Sequence, residues 1–393
     1  MSQNPILHPK VQQFIQENFH IDLNKLILSN RVIEGVPAKE IAQQIDCKRR
    51  AEKKLPTWFA TPNIIFPEKI NIEQTSSEIT AQYKASLFSG NTLIDLSGGF
   101  GVDSYYFSKQ NKKVIFCEQN EVLLEKVQHN FQVFGVKNVV FIAGNSLEYL
   151  SHSTEKYDCI YVDPARRNQE KKVFLLEDCE PNILENIALL LSKSDRILIK
   201  ISPMFDCNEL IHKLQCVKAI HCVAVKNEMK ELLVEIEKNY NQEPKIIAVN
   251  LESSHPISEF QPHDNQSSKK AVSLQKYLYE PNVSVLKAGA FNEISMRYDV
   301  KKLAANTHLY TSDTLVSDFP GKIFEIENIL KPQAKMLKKS LTESHYNLIV
   351  RNFPMKVSEI ITSFKIKEGG EKYLIFTQLQ KEKVVILATL VKS

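Results

Sequence analysis

The 393 residues contain no C-x-x-C pair and no H-E-x-x-H. The seven cysteines, Cys47, Cys117, Cys159, Cys179, Cys207, Cys216 and Cys222, are odd in number and scattered. That pattern argues against a disulfide framework and a zinc site; it is the one expected of reduced thiols in a cytoplasmic protein. The ten His are dispersed as well, so no metal is expected. A bilayer-spanning helix needs about 18 or more consecutive apolar residues. The sequence has no such run, so no membrane span is expected. The opening "MSQNPILHPK" has no apolar stretch behind basic residues, so no signal peptide is read there. Net charge is scarce too, only +4, but it is uneven. From Gly321 to Ser393 there are thirteen Lys and Arg against seven Asp and Glu, a net of +6, which leaves −2 for the rest. A basic terminal region points to a polyanionic partner, or simply to a Lys-rich solvated face.

What is present is enough for two or three cores: 43% hydrophobic residues in a chain of this length. Residues 1–70 read as a helical N-terminal region. "KVQQFIQENF" and "LNKLILSNRVIEG" carry apolar positions three and four apart. "LPTWFATPNIIFP", broken by three prolines, reads as an extended connection. Residues 71–240 alternate short β-branched segments ("NTLIDL", "KKVIFCE", "NVVFIAG", "YDCIYVD", "DRILIKIS") with helical ones. That alternation implies an α/β fold with a mostly parallel sheet. "IHCVAVKNEMKELLVEIEKN" reads as strand, polar turn, strand, an antiparallel terminal hairpin. Residues 241–275 read as a polar linker, 276–320 as a small domain and 321–393 as a last small α+β domain.

"LIDLSGGFGVDSYYF", from Leu93 to Phe107, sets a glycine-rich turn after the first of these strands. Glycine removes the Cβ that would keep a ligand from the backbone. The dinucleotide fingerprint G-x-G-x-x-G is only partly met: Gly99 and Gly101 fit, but Ser104 stands at the third position. Asp95 and Asp103 would repel a pyrophosphate and suit a cofactor with a cationic amine and sulfonium. Asp95-Leu96-Ser97-Gly98-Gly99-Phe100-Gly101 resembles the first motif of class I S-adenosylmethionine-dependent methyltransferases, with Ser97 at a position that is often Gly. Glu118 ends the next strand, 23 residues after Asp95, and the resemblance gives it the ribose hydroxyls. Asn145, after "NVVFIAG", takes the place of an acid that contacts the adenine amine; its side-chain carbonyl offers the same acceptor. Ser76 and Ser77, in "EQTSSEITAQYKA", fall where this family often meets the cofactor's carboxylate end. They also suit a helix N-cap.

"YVDPARRN" follows the fourth strand, where a ligand of an open α/β sheet is expected. The family has related tetrapeptides here, in which a polar residue and the next carbonyl hold an exocyclic amine. Asp163, Pro164 and Arg166 are therefore the catalytic candidates, and Arg167 and Asn227 the substrate-binding ones beside them. Arg166 suits either stacking on a base or binding a phosphate. The target atom stays open. A ring carbon would call on a thiol such as Cys207, though a scattered Cys is more often inert. The assembly, including "VRNFPMKVSEI", is similar to bacterial class I methyltransferases with a DPARR motif, a helical N-terminal region, a ferredoxin-like insert and a C-terminal THUMP-like domain. The resemblance implies a Rossmann-like sheet, S-adenosylmethionine as cofactor, and RNA (tRNA or rRNA) held by the basic tail, with Lys338, Lys339 and Arg351 among the contacts. The run Lys48, Arg49, Arg50, Lys53, Lys54 offers a second phosphate contact. The alternatives are a methyltransferase for a small molecule or protein, and a non-catalytic RNA-binding protein. The oligomeric state is not legible.

Overall fold

The computed structural model describes residues 4–166, 176–261 and 267–392. The chain forms two compact units, Met1–Ile201 with Val234–Tyr240, and Ser202–Leu233 with Asn241–Ser393. Among the described residues no helix is long and apolar enough to cross a membrane.

The first unit begins with helices Pro9–Glu17, Leu23–Leu28 and Ala38–Lys54. Their apolar stripes meet in a core of Val11, Ile15, Leu26, Ile41 and Ile45. The helical reading of "LNKLILSNRVIEG" holds only to Leu28. Val32–Ile33 and Val36–Pro37 then pair as a small hairpin over Glu34 and Gly35, both at positive φ. Such a turn suits β-branched Val and Ile on its flanks better than a helix does. The extended reading of "LPTWFATPNIIFP" is also corrected. Pro56 starts a short helix, Pro56–Ala60, because a proline costs nothing at a first helical position. That turn buries Trp58 completely.

The sheet follows. Its strands are β1 (Gly90–Asp95), β2 (Asn111–Glu118), β3 (Val139–Ala143), β4 (Cys159–Val162) and β5 (Arg196–Ile201). They alternate with helices α1 (Glu78–Ser86), α2 (Val102–Ser108), α3 (Glu121–Val133), α4 (Ser146–His152) and α5 (Ile183–Lys193). Helix α3 closes on Gly135 at φ +70, and Gly135 and Val136 donate to the carbonyls of Gln132 and Phe131. The strand pairs β1–β2, β1–β4, β2–β3 and β4–β5 are all parallel. In the order 3-2-1-4-5 the winding reverses between β1 and β4. At such a reversal the connections leave the strand ends in opposite directions, which opens a crevice there.

Two further strands are β6 (Val217–Val225) and β7 (Glu228–Glu237). Lys226 and Asn227 join them, both at positive φ, as a two-residue antiparallel hairpin requires. Residues 228–233 of β7 belong to the second unit and 234–237 to the first. Within the stretch read as a linker, "KIIAVNL" forms β8 (Lys245–Leu251), parallel to β6, and β9 (Ile257–Phe260) pairs antiparallel to β8. The reason is local: Ile246, Ala248 and Val249 are buried, so the polar flanks concealed an apolar strand.

The rest of the second unit is a seven-stranded sheet. Its strands are β10 (Tyr277–Pro281), β11 (Lys301–Ala304), β12 (Thr307–Ser312), β13 (Gly321–Leu330), β14 (His345–Val350), β15 (Lys367–Leu379) and β16 (Glu382–Lys392). The spatial order is 11-12-10-13-16-15-14. One core contains Leu278, Leu303, Phe324, Ile375 and Ile386, drawn from five of these strands.

Candidate cofactor and acceptor site

The glycine-rich loop leaves β1 at the reversal point. Each of its glycines answers a different constraint. A Cβ on Gly98 would stand 2.3 Å from the Phe116 ring, and one on Gly101, at φ +78, would stand 2.8 Å from Val127. These two let the loop press onto β2 and α3. Gly99 differs: at φ +57 its Cβ position meets nothing nearer than the Ser97 carbonyl at 3.7 Å. Its backbone is turned to open space. This is the place where a ligand can approach the chain.

Three carboxylates organise the loop. Asp95 is 1% exposed. Its Oδ1 accepts from the Ser97 amide at 2.9 Å and the Ser97 hydroxyl at 3.1 Å, and its Oδ2 from the Ser104 hydroxyl at 2.6 Å. Burial pushes its pKa up to about 7, against those hydrogen bonds. Glu118 accepts the amide of Gly99 on one oxygen and that of Asn120 on the other, each at 2.8 Å. A carboxylate has about four acceptor sites, so capacity for a diol remains. Asp103 lies at the centre of a buried cluster. Lys84, fully buried on α1, pairs with its Oδ1 at 3.2 Å, while Ser76 and Tyr161 donate to Oδ2, each at 2.8 Å. Burial opposes ionisation of Asp103, but Lys84, Lys200 and these donors outweigh it and lower its pKa.

Asp163 follows β4 across the crevice. Its backbone N–H donates to the Ser97 hydroxyl at 2.6 Å, and the Lys200 ammonium, on β5, bonds its Oδ2. The side chain remains one-third exposed. Many of the residues expected from the sequence in the first unit thus fall on consecutive strand ends: Asp95 at the end of β1 with Ser97, Gly99 and Gly101 after it, Glu118 at the end of β2, Asn145 after β3, and Asp163 and Pro164 after β4. Arg166 has its backbone in a short ladder, Ala165–Arg166 against Cys179–Glu180. Arg167 lies outside the described residues.

Several of these residues are otherwise occupied. The Asn145 Oδ1 caps α4, accepting from the amides of Leu147 and Glu148, so the carbonyl expected to meet an adenine amine is already engaged. Ser77 caps α1 through the Thr80 amide. Ser76 donates to Asp103 and accepts from Lys84. In the second unit, Asn227 accepts from the Val283 amide at 2.8 Å, and its own N–H goes to Asn250. Arg351 pairs with Glu280, a carboxylate 5% exposed, at 2.6 Å. Lys338 and Lys339 are exposed on helix Ala334–Ser340. In the 48–54 run, Arg49 holds the carbonyls of Phe19 and Ile21, Arg50 pairs with Asp46 and Glu73, and Lys54 holds those of Ile72 and Glu73. Those three cations stabilise the helical region. Cys207 is buried, with its sulfur 3.6 Å from that of Cys222.

Sequence reasoning missed Lys84, Tyr161 and Lys200. A signal existed for Lys200: it interrupts "RILIKI", a strand otherwise fit for burial, and such a cation needs a partner. The residues present suit a ligand with a cationic end and a ribose. An open glycine backbone stands between carboxylates, in a place where phosphates would be repelled.

Residues 90–233 match the model of the RNA cap guanine-N2 methyltransferase family. Residues 277–320 match a ferredoxin-like domain and 321–390 a THUMP domain-like model. A crystal structure of a protein from Porphyromonas gingivalis W83, provisionally assigned as a methyltransferase, superposes with a TM-score of 0.89 at 30% identity, covering 100% of both chains. An uncharacterized RNA methyltransferase of Mycoplasma mobile is 32% identical over 179 residues, 43% of this chain and 49% of its own. A protein of Sulfurisphaera tokodaii, provisionally assigned as a cobalt-precorrin-6B C(15)-methyltransferase (decarboxylating), is 30% identical over 106 residues, 26% of this chain and 55% of its own. The matched stretches span about half the length of these last two relatives.

Proposed function

We propose that this chain, which belongs to the methyltransferase family of the Porphyromonas gingivalis protein, transfers a methyl group from S-adenosylmethionine to a base in RNA. The observation that carries this reading is the position of Asp163, tied to the glycine loop through Ser97 at the reversal between β1 and β4. Bound there, S-adenosylmethionine supplies a methyl carbon activated by a sulfonium, ready for displacement. The protein's own work is then alignment and exclusion of water. Gly99 gives backbone access, Glu118 takes the ribose hydroxyls, and Asp95 with Asp103 makes the pocket favourable to positive charge. Asn145 contributes through its amide N–H₂, a donor suited to a ring nitrogen of adenine.

On the acceptor side, Asp163 accepts a hydrogen bond from the reacting group through its Oδ1 and so orients its lone pair toward the methyl carbon. A base amine fits this arrangement, and the match to a guanine-N2 methyltransferase model supports that choice. A ring-carbon target finds less support, since Cys207, the thiol it would call on, is buried with its sulfur engaged by that of Cys222. RNA capture falls to the basic terminal domain, with Lys338 and Lys339 as contacts, and a cytoplasmic setting accords with cysteines that form no disulfide among the described residues.

The test is transfer of label from methyl-labelled cofactor. With tRNA, rRNA and a metabolite extract offered separately, label is expected in RNA, and Asp163→Ala is expected to abolish it. The similarity to a cobalt-precorrin methyltransferase favours a second reading, transfer to a small molecule; label confined to the metabolite pool would establish that one instead.

A further inference from the structure

Two side chains that no cofactor contact requires converge on Asp163. The Ser97 hydroxyl accepts its backbone N–H at 2.6 Å and donates onward to Asp95 at 3.1 Å. The Lys200 ammonium bonds its Oδ2 from β5. Lys200 is 16% exposed and Asp163 33% exposed, so this pair is screened far less than a surface ion pair. Backbone and carboxylate are thus fixed from different segments, the amide by the loop after β1 and Oδ2 by β5.

We propose that Ser97 and Lys200 are positioning residues that clamp Asp163 at two points, and that this clamp sets the acceptor geometry of the methyl transfer proposed above. The clamp acts on the freedom of the Asp side chain. An unclamped carboxylate on a loop samples several χ1 and χ2 positions, and either oxygen can turn to the substrate. Charge-assisted bonding of Oδ2 removes that freedom. Ser97 does on the backbone what Lys200 does on the side chain. Its hydroxyl donates to Asp95 and accepts from Asp163, which makes it a bridge between the cofactor loop and the acceptor loop. A glycine at 97, common in the wider family, could form no such bridge.

The clamp rests on the methyltransferase reading for its effect on rate, but its existence can be tested without an acceptor. Hydrogen exchange in the native protein reports the Asp163 amide directly, and calorimetry with S-adenosylhomocysteine reports the cofactor side. In Ser97→Ala the Asp163 amide is expected to exchange at least about tenfold faster, with S-adenosylhomocysteine affinity changed by less than about threefold. For the rate, Lys200→Met is expected to lower kcat for tRNA or rRNA by about 100-fold, the scale of a misplaced reacting group. KM should stay within about threefold, and Lys200→Arg should recover most of the rate. An unchanged exchange rate in Ser97→Ala overturns the clamp. So does a Lys200→Met variant that loses RNA affinity with kcat intact, or one that arginine does not rescue. If the wild type labels neither RNA, the RNA reading fails, and the clamp stands or falls on the exchange and calorimetry alone.

Discussion

Gly98 and Gly99 are neighbours with different duties, and substitution separates them. Gly98→Ala drives a methyl group into the Phe116 ring, so it is expected to destabilise the fold by about 1–3 kcal/mol, the usual cost of overpacking. Gly99→Ala strains the backbone by about 1 kcal/mol but meets no wall, and its methyl fills the space a cofactor needs. Urea denaturation should show the larger loss for Gly98→Ala. Calorimetry should show the larger loss of S-adenosylhomocysteine affinity, about tenfold or more, for Gly99→Ala. Asp95 adds a pH signature. Burial raises its folded-state pKa to about 7 from 3.8. As pH rises, the unfolded chain therefore releases this proton first. Stability from this group falls between about pH 4 and about pH 7, and the loss is complete above that. Asp95→Asn keeps an acceptor but cannot ionise. Denaturation at about pH 5 and about pH 8 should show a smaller fall in stability for the variant than for the wild type. Lys84→Met would leave Asp103 buried without its cation, at a cost of about 3–5 kcal/mol, read as a lowered denaturation midpoint.

Elements were far more legible in the sequence than partnerships. The strands of the first unit announce themselves as short β-branched runs, and the loop after β1 by three glycines in four positions. These are local signals. The strand-end placement of Glu118, Asn145 and Asp163 followed from the same alternation. Lys200 and Lys84 were not found, because a buried cation is explained only by a partner distant in sequence: Asp163 lies 37 residues from Lys200. The partner of Arg351 was hidden for the same reason. It looked like one more cation of a basic tail, yet it pairs with Glu280, the next-to-last residue of β10. Arg351→Ala is therefore expected to destabilise the second unit by about 1–3 kcal/mol, less than a fully buried pair because Arg351 is half exposed. It should leave the salt dependence of RNA binding unaltered. Lys338→Ala and Lys339→Ala should do the opposite, each lowering the slope of log affinity against log salt by about 1 with little effect on stability.

For the whole molecule, the sequence suggested separable modules with boundaries near 276 and 320. The seven-stranded sheet does not respect the second of these. Strand β10 pairs with β13 from Tyr277–Glu325 to Pro281–Gly321, and Leu278 and Phe324 share one core. Removing residues 321–393 takes away four of the seven strands and bares one edge of β10. A chain ending at 320 is expected to aggregate or to be degraded by protease within its second unit, which gel filtration and limited proteolysis would reveal. Charge reversal on intact protein, not deletion, is the fair test of the basic tail.

The same sheet has a consequence for synthesis. Strand β16 lies between β13 and β15, so the residues translated latest among those described occupy an interior position. On the ribosome, the parallel strands of the first unit can close while later residues are still being made. The second sheet cannot: until Glu382–Lys392 has left the exit tunnel, β13 and β15 each present an unpaired apolar edge. The protein thus passes through a stage in which a finished catalytic fold is tethered to an open, adhesive one, and that interval is when it most needs a chaperone.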